Sequence, residues 1–420
     1  MTDAARPSTR RLALLLGGLA MFGPFSIDTI FPAFPAIGAQ LGADKVAMQQ
    51  TISVYLVAYA LTSLLHGPLS DAIGRRRVIL GGLVVFAVAS AGCALATDLP
   101  ALLAFRALQG LSSGVGLIVG RAVIRDVLHG PDAQRLMSQV SMIFGIAPAV
   151  APIVGGWILG WSRWPMIFWF LVAFALALIV ATWTTLPETH PPAARPKFVP
   201  RHLLRDYAAI FVNPRFQRLA AASAFNFAAL FLYIASAPAF VLEMLRLGGR
   251  PLDETQFGWF FIPTIGGMVV GAFVSGRAAG RLSGDRLVQM GFAAGALAVA
   301  GNLAYSMAAP VPELPWAVLP MSLQAFGIAL VFPVITLAIL DMYPRQRGSA
   351  SSLQAFTSLV LNAVIAGVVS PWLTRDPRWL AAGAASMTAV GYAFWRAESR
   401  RSSRRPGRPQ AVDVPGGEGG

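Results

Sequence analysis

Long apolar stretches alternate with short polar connections along the chain, from Leu12 to Trp395. A helix of about 18 or more mostly apolar residues is long enough to cross the ~30 Å hydrocarbon core of a bilayer. Val78–Thr97 and Trp164–Leu186 reach that length, and other stretches contain Gly, Pro or a lone charge. The pattern predicts an all-α membrane protein with twelve transmembrane helices, at residues 12–34, 46–69, 78–97, 99–120, 136–160, 164–186, 216–242, 255–276, 287–308, 315–340, 349–372 and 378–396.

The composition supports this class of protein. Of the 420 residues, 56% are hydrophobic and 12% are charged, whereas a soluble domain has about 25% charged residues. The polar, proline-rich stretch Pro187–Arg215 separates two groups of six predicted spans. We therefore expect five regions: a cytoplasmic N-terminus (1–11), a six-helix bundle (12–186), a cytoplasmic linker (187–215), a second six-helix bundle (216–397) and a disordered cytoplasmic tail (398–420).

The distribution of positive charge predicts the orientation. The connections after odd-numbered spans contain six Lys and Arg residues, whereas the termini and the other connections contain 26. By the positive-inside rule, both termini lie in the cytoplasm and the number of spans is even. The location we expect for this multi-pass protein is a bacterial inner membrane. The net charge of +14 does not indicate a nucleic-acid partner, because the basic residues form no face interleaved with aromatic side chains. The partner expected from composition is the lipid bilayer.

Two charged residues interrupt the apolar interiors of predicted spans. Asp28 lies about six residues from the outer end of span 1 and Arg106 about seven from the outer end of span 4, so at ~1.5 Å per residue their depths are similar. A charge inside the bilayer costs about 2.5–3.5 kcal/mol, so such residues face a cavity or a partner. Asp28 is a candidate proton carrier, and Arg106 is a permanent charge that could regulate it. Alternatively, Asp28 caps or packs a helix end, or the two residues form an ion pair that never titrates.

Two further segments combine glycine with charge or proline. After span 2 the segment Gly67–Arg77 contains Gly67, Asp71, Gly74, Arg75 and Arg76. Its glycines permit close helix approach, and Asp71 can pair with Arg75 or accept amide hydrogen bonds at a helix start. In span 5 the segment Gly145–Gly156 contains Gly145, Pro148, Pro152, Gly155 and Gly156. Its prolines remove backbone donors and bend a helix, and its glycines permit a tight seam or ordinary helix packing.

Together with Leu102–Gly110 in span 4, these segments resemble signatures of the major facilitator superfamily. Ser26–Pro35 and Ile339–Pro344 add a resemblance to its bicyclomycin and chloramphenicol resistance (Bcr/CflA) group of drug–proton antiporters. The resemblance runs over nearly the whole chain and implies a major facilitator fold of two pseudo-symmetric six-helix bundles. It also implies that the segment after span 2 is a conformational switch loop, that the span 5 motif limits proton leak, and that spans 1, 4, 7 and 10 line a central cavity.

The function implied by the resemblance is multidrug efflux by alternating access, coupled to proton entry (antiport), with antibiotic resistance as its result. Export of an endogenous amino acid or sugar by the same mechanism is an alternative, and a receptor or passive channel on this scaffold is a second one. We expect a monomer that binds a small-molecule substrate and protons. Residues expected to line the substrate cavity are Gln109, Asn226, Tyr233, Gln324 and Thr336.

Searches for other chemistry point away from an enzyme. The sequence contains no Gly-x-x-x-x-Gly-Lys-Ser/Thr phosphate loop, no Cys/His metal-ligand set and no evident Ser/His/Asp arrangement. We therefore expect no cofactor and no metal, with the proton gradient as the driving force. The single cysteine, Cys93, lies in an apolar stretch and is expected to be a small buried residue.

Overall fold

The computed structural model describes residues 9–403 except 129, 196–199, 254, 279–280, 310 and 344–346. The described chain is mostly helical. The helices are α1 (Thr9–Asp28), α2 (Phe34–Leu41), α3 (Lys45–Ile73), α4 (Arg75–Ala94), α5 (Leu99–Gly114), α6 (Gly120–Val127), α7 (Gly130–Trp161), α8 (Pro165–Thr185), α9 (Pro200–Val212), α10 (Pro214–Ala239), α11 (Phe261–Ala278), α12 (Gly284–Ala308), α13 (Leu319–Met342), α14 (Arg347–Val364), α15 (Ser370–Leu373) and α16 (Pro377–Ser403).

Several short turns extend or join these helices. π-helical turns continue α5, α10 and α14 at Val115–Val119, Phe240–Met244 and Ile365–Val369. A small antiparallel hairpin of β1 (Arg246–Leu247) and β2 (Arg250–Pro251) follows α10. Its turn residues Gly248 and Gly249 have φ of 58° and 76°. Two consecutive positive φ angles suit a tight hairpin turn and are easily adopted only by glycine and a few small polar residues.

Ten helical segments in the described part of the chain are long and apolar enough to cross a membrane. They are Arg10–Leu41, Lys45–Ile73, Arg75–Ala94, Leu99–Ile124, Pro165–Thr185, Pro214–Met244, Phe257–Ala278, Gly284–Ala308, Leu319–Met342 and Ser349–Leu373. Predicted span 5 corresponds to α7, whose apolar part Ile146–Trp161 is shorter. Predicted span 12 corresponds to α16, which is helical but less apolar. The prediction of a helical protein rich in membrane-spanning segments is confirmed.

Local sequence explains where several helices begin. Asp44 caps α3 by accepting a hydrogen bond from the amide of Ala47 at 2.7 Å. Asp98 caps α5 by accepting one from the amide of Ala101 at 2.8 Å. A capping side chain satisfies an amide that has no partner within the helix, which is typically worth about 1 kcal/mol. α3 and α4 are separated at Gly74, whose φ of 108° is strained for any residue with a side chain.

The helix ends define two faces of the molecule. We call the face that carries Arg75, Arg76 and α9 the basic face, and the face that carries Asp44 and the β hairpin the hairpin face. Exposed tryptophans lie near helix ends on the hairpin face, namely Trp157, Trp161, Trp259, Trp316, Trp372 and Trp379, and exposed Trp183 lies beside Arg76 on the basic face. Tryptophan is enriched at membrane–water interfaces. This belt is therefore consistent with helices that cross a bilayer between the two faces.

The helices pack in two groups. α1, α3, α4, α5, α7 and α8 pack mainly on one another, and α10, α11, α12, α13 and α16 do the same, whereas α14 packs on α10 and α13 and more extensively on α3. The main contacts between the groups are made by α3 with α14 and by α7 with α11. Fully or nearly fully buried aromatic side chains fill each group, including Phe22 and Phe86 in the first and Phe216 and Phe292 in the second.

The predicted linker and tail are only partly described. Within 187–215 the structure shows a helix, α9, which packs on α10 and α14. α16 continues to Ser403, and Glu398 within it pairs with Arg218 at 2.7 Å and with Arg215 at 3.1 Å. Residues 1–8 and 404–420 of the predicted N-terminus and tail lie outside the described residues.

Candidate functional site

Arg106 lies within α5, and its side chain is completely buried. Its guanidinium donates hydrogen bonds to the backbone carbonyls of Ser26 (2.9 Å) and Thr51 (3.3 Å) and to Oε1 of Gln109 (2.7 Å). It also lies over the ring of Tyr55, 4.6 Å from the ring centroid. Hydrogen bonds from a charged donor and a cation–π contact offset part of the cost of burying the charge. Residues of α1, α3 and α5 therefore hold this arginine in place.

Asp28, at the end of α1, is 3% exposed. In the described part of the chain it forms no hydrogen bond and no ion pair within 4 Å, although it lies close enough to Arg106 for electrostatic attraction. Nη2 of Arg106 likewise has no hydrogen-bond partner among the described residues. The two charges thus interact without direct contact, and each keeps bonding capacity for a proton, a water molecule or a substrate group.

Gln109, predicted to line the cavity, belongs to the support of Arg106. It is completely buried and donates through Nε2 to the hydroxyl of Ser90 at 2.7 Å. Its backbone carbonyl accepts from Ser113 at 2.7 Å, and Ser113 accepts from the hydroxyl of Tyr55 at 2.5 Å. We call Ser26, Thr51, Tyr55, Ser90, Arg106, Gln109 and Ser113 the Arg106 cluster. Tyr55 and Ser90 come from other helices, so no local sequence signal pointed to them.

A second buried polar cluster lies among α10, α12, α13 and α16. Nδ2 of Asn302 donates to the hydroxyl of Tyr233 at 2.6 Å. Nε2 of Gln324 donates to the backbone carbonyl of Asn226 and to the hydroxyl of Thr388, both at 3.4 Å. All five side chains are buried, and we call them the Gln324 cluster. It contains three residues predicted to line the cavity, and sequence reasoning missed Asn302 and Thr388.

The Gln324 cluster borders a small cavity. Tyr233, Asn302 and Gln324 line it together with apolar residues such as Met321. It has room for about one water molecule, which needs two or more polar partners to be stable. The side-chain oxygens of Gln324 and Asn226 accept no hydrogen bond among the described residues. In this conformation Tyr233 and Gln324 therefore point into their own helix group.

Thr336, the fifth predicted cavity residue, lies apart from the Gln324 cluster. Its hydroxyl accepts a hydrogen bond from Nε2 of Gln354 at 3.0 Å. The same amide lies 3.5 Å from the hydroxyl of Ser223. Thr336 therefore helps to join α13, α14 and α10.

The segment after span 2 forms a charged cluster on the basic face. Arg75 pairs with Asp71 at 2.5 Å and with Asp126 at 3.0 Å. The pair with Asp71 is one of the two alternatives predicted from the sequence. The other alternative, amide capping by Asp71, is not seen among the described residues, since Asp71 lies in the last turn of α3 and not at a helix start. The amide of Arg75 at the start of α4 donates instead to Glu188 at 2.9 Å. Asp126 and Glu188 lie far away in sequence, so the motif alone did not reveal them.

The other residues of this segment shape its surroundings. At Gly74 a side chain would collide with Glu188 as well as strain the backbone. At Gly67 a Cβ would lie 3.8 Å from the hydroxyl of Ser352 in α14, so α3 and α14 approach each other there. Arg76 donates to the backbone carbonyl of Trp183 at 2.5 Å and lies 4.8 Å from the centroid of its ring.

The span 5 motif lies in one uninterrupted helix, α7, which contains Pro148 and Pro152 as well as Gly145. Gly155 and Gly156 are buried. A Cβ at Gly155 would overlap the backbone carbonyl of Thr29, just after α1. The absence of a side chain at this position therefore allows α7 to contact the chain one residue from Asp28.

Polar contacts from α3 join the two helix groups. They are Lys45 Nζ with Glu243 Oε2 (2.6 Å), Gln49 Nε2 with the carbonyl of Ala235 (3.0 Å), Gln50 Nε2 with the carbonyl of Gly367 (3.0 Å) and the Ser53 hydroxyl with the carbonyl of Ala363 (3.1 Å). The charged pair lies on the hairpin face and is largely exposed. Exposed pairs contribute little stability, typically about 0–1 kcal/mol. The exposed ion pair can therefore break at little cost, whereas the hydrogen bond of Gln49 is buried and costs more to break.

A polytopic helical protein that buries charged residues among its helices has features typical of a membrane transporter. Residues 14–364 match the family model of the Major Facilitator Superfamily. The chain therefore belongs to this superfamily, as the sequence motifs predicted. Members of the superfamily found among its relatives are transporters, so the protein is a transporter and not an enzyme.

Known proteins similar to this chain agree with that assignment. The bicyclomycin resistance protein homolog of Haemophilus influenzae is 25% identical over 407 residues, covering 94% of this chain and 98% of the relative. The multidrug resistance protein MdtM of Escherichia coli K12 is 28% identical over 373 residues, covering 88% and 86%. A crystal structure of the peptide transporter POT in complex with sulfate superposes with a TM-score of 0.75 at 14% identity, covering 96% of both chains. The last similarity concerns the fold alone.

Proposed function

We propose that the protein exports amphipathic drugs or small toxic compounds in exchange for protons across a bacterial inner membrane. The observation that carries this proposal is the buried Asp28, which forms no ion pair with the described residues, beside the buried Arg106. A carboxylate kept inside a membrane without a direct counter-ion is costly, and proton uptake removes that cost. The relatives named for bicyclomycin and multidrug resistance support drugs as the cargo.

The proposed architecture is twelve spans in two pseudo-symmetric six-helix halves, with both termini in the cytoplasm. The packing of the helices in two groups supports the halves, and the 26-to-6 division of basic residues supports the orientation. In alternating access the halves rock around a central substrate site. Contacts of the kind that α3 makes with the second group would break and re-form during this motion. We propose that the protein works as a monomer and needs no cofactor.

In the proposed cycle Arg106 controls the proton affinity of Asp28. Attraction between the two favours the charged carboxylate, and a rearrangement that separates them favours the protonated one. A proton taken up by Asp28 from the outside in one conformation would leave to the cytoplasm in the other. The Asp71–Arg75–Asp126 cluster is proposed to stabilise one of these conformations, and the close packing at Gly155 is proposed to limit proton leak.

The experiment is a drug-dependent proton-flux assay on purified protein in liposomes that contain a pH-sensitive dye. With an imposed pH gradient, chloramphenicol or bicyclomycin should accelerate proton movement through the wild-type protein. Asp28→Asn should abolish this coupled flux while insertion and helical content remain normal. Asp285→Asn is the matched control, because Asp285 is exposed at a helix end, and it should behave like wild type. Coupled flux that persists in Asp28→Asn would refute the assigned role of Asp28.

A further inference from the structure

The helix α9 connects the two helix groups on the basic face, and one side of it is anchored. Tyr207 is buried and donates a hydrogen bond to the carbonyl of Leu64 in α3 at 2.8 Å. Ile210 is completely buried beside it. Burial also raises the pKa of Tyr207 to about 12. The orientation of α9 around its axis is therefore defined, and so is the side that faces outward.

The outward side of α9 is apolar where it adjoins the anchored side. Leu204 is 68% exposed, Phe211 is 49% exposed and Val212 is 71% exposed. At ~3.6 residues per turn, Leu204, Ala208 and Phe211 lie on one arc of the helix, and Ala208 is exposed as well. Large apolar side chains that cluster on one exposed arc need a cover, whereas single ones do not.

Two arginines lie next to this apolar arc. Arg201 and Arg205 are exposed, and neither forms an ion pair among the residues that the structure describes. Helical geometry places them, with Val212, just beyond Ala208. The acidic Asp206 lies on the other flank of the anchored side, away from the apolar arc and the arginines. The exposed surface is therefore apolar in one arc and positive in the next, which is the pattern of helices that lie in the headgroup region of a bilayer.

The position of α9 in the chain fits the same environment. A single residue, Asn213, separates it from α10, whose first turn begins the membrane-spanning segment Pro214–Met244. Phe211 and Val212 are thus within one helical turn of a membrane span. Arginine can bury its aliphatic stem against acyl chains while its guanidinium stays among phosphates.

We propose that the surface formed by Arg201, Leu204, Arg205, Ala208, Phe211 and Val212 is a binding surface for anionic phospholipid on the basic face. The apolar residues enter the boundary between headgroups and acyl chains, and the two arginines bind the phosphates. Because α9 also contacts α3 through Tyr207 and packs on α14, bound lipid would act on a helix that touches both groups. This inference does not depend on the identity of the exported compound.

The location of the surface can be tested with two neighbouring positions. Ala208→Cys and Ala209→Cys are both exposed sites, but helical geometry turns them about 100° apart. The native Cys93 is completely buried, so a maleimide fluorophore should label only the introduced cysteine, with the unsubstituted protein as the check. In liposomes, the probe at 208 should be quenched by brominated phospholipid severalfold more than the probe at 209, and iodide in the water should show the reverse.

Two results of that experiment would overturn the proposal. Equal quenching of both probes by iodide, with no effect of brominated lipid, would place the surface in water. Shielding of the probe at 208 from both quenchers would mean that protein, such as a second copy of this chain, covers the surface. Neither readout requires transport, so a failure of the proposed function would be seen separately.

The headgroup preference is tested with charge-removal variants in the Ala208→Cys protein. Emission of the probe is followed as phosphatidylglycerol replaces phosphatidylcholine. Removing both arginines with R201Q and R205Q should raise the phosphatidylglycerol fraction needed for half the change on the order of tenfold, or abolish the response. R281Q with R286Q is the matched control, because these arginines are exposed on the same face, Arg281 just before α12 and Arg286 in its first turn. An equal response in both double variants would refute binding by Arg201 and Arg205.

Discussion

Replacing Arg106 by lysine keeps the buried positive charge and removes the geometry that the structure shows. The guanidinium reaches the carbonyls of Ser26 and Thr51 and the amide of Gln109 at once. An ammonium group has three N–H donors, but all three are on one nitrogen, so it cannot reach acceptors that here bind two different guanidinium nitrogens, Nε and Nη1. Each lost hydrogen bond from a charged donor costs about 1.5–3 kcal/mol. With one or two lost, Arg106→Lys should destabilise the protein by about 2–5 kcal/mol.

The assay is thermal unfolding of the purified protein in detergent, followed by tryptophan fluorescence, together with the proton-flux assay. Arg106→Lys should lower Tm by several degrees and weaken drug-dependent proton flux. Arg250→Lys is the matched control, since Arg250 lies on the exposed hairpin and should change neither. Gln109→Leu removes one partner of Arg106, so its effect should be less than additive with that of Arg106→Lys. If Tm and flux were unchanged in Arg106→Lys, the hydrogen bonds of the Arg106 guanidinium in the wild-type protein would contribute neither stability nor coupling.

Two further predictions concern packing and the linker helix. Gly155→Val should lower the free energy of unfolding by about 1–3 kcal/mol, because the new side chain would overlap the carbonyl of Thr29. A lower Tm should show this loss. Gly301→Val is the control, because its site has open space and the substitution should have little effect on Tm. Tyr207→Phe should cost about 0.5–1.5 kcal/mol through loss of its hydrogen bond to Leu64. The raised pKa of Tyr207 adds stability that is complete below about pH 10 and is lost as pH rises through about 12. The alkaline dependence of Tm should therefore be weaker in Tyr207→Phe, and an identical dependence in both proteins would contradict this.

Residues whose chemistry conflicts with their surroundings were predictable from the sequence. Asp28 and Arg106 stood out because charge is costly inside an apolar stretch, and counting residues from the span ends placed them at similar depth. The structure buries both and brings them within electrostatic reach. Helix positions were predictable for the same reason, since apolar length is a direct consequence of bilayer thickness. The roles assigned to these residues stay predictions until flux is measured.

Neutral polar partners were not predictable in the same way. Asn302 and Thr388 complete the Gln324 cluster, and Tyr55 lies beneath Arg106, but a single polar residue in an apolar helix is compatible with many environments. Their partners come from helices that are distant in sequence, so tertiary packing decides the contact. Glu188 is a similar case, because a polar connection contains many charges and only the fold selects the one that meets the amide of Arg75.

Arg121 shows how an uncertain span boundary hid a charge. The predicted fourth span ended at residue 120, which assigned Arg121 to a connection. In the structure the membrane-spanning segment is Leu99–Ile124 and includes it. The π-helical turn Val115–Val119 joins α5 to α6 without ending the helix, so hydropathy alone could not detect the continuation. Arg106 is therefore not the only arginine in this span.

The two buried polar clusters differ in net charge, and this difference has an electrical consequence. The Arg106 cluster contains a formal charge and lies beside Asp28, whereas the Gln324 cluster consists of neutral side chains. A charge that crosses the whole membrane field exchanges about 2.3 kcal/mol per 100 mV with it, and a neutral group exchanges none. Among these two clusters, voltage can act directly only on the first. If the helix groups move relative to each other, the part of the gating current that comes from these two clusters should originate in α1 and α5.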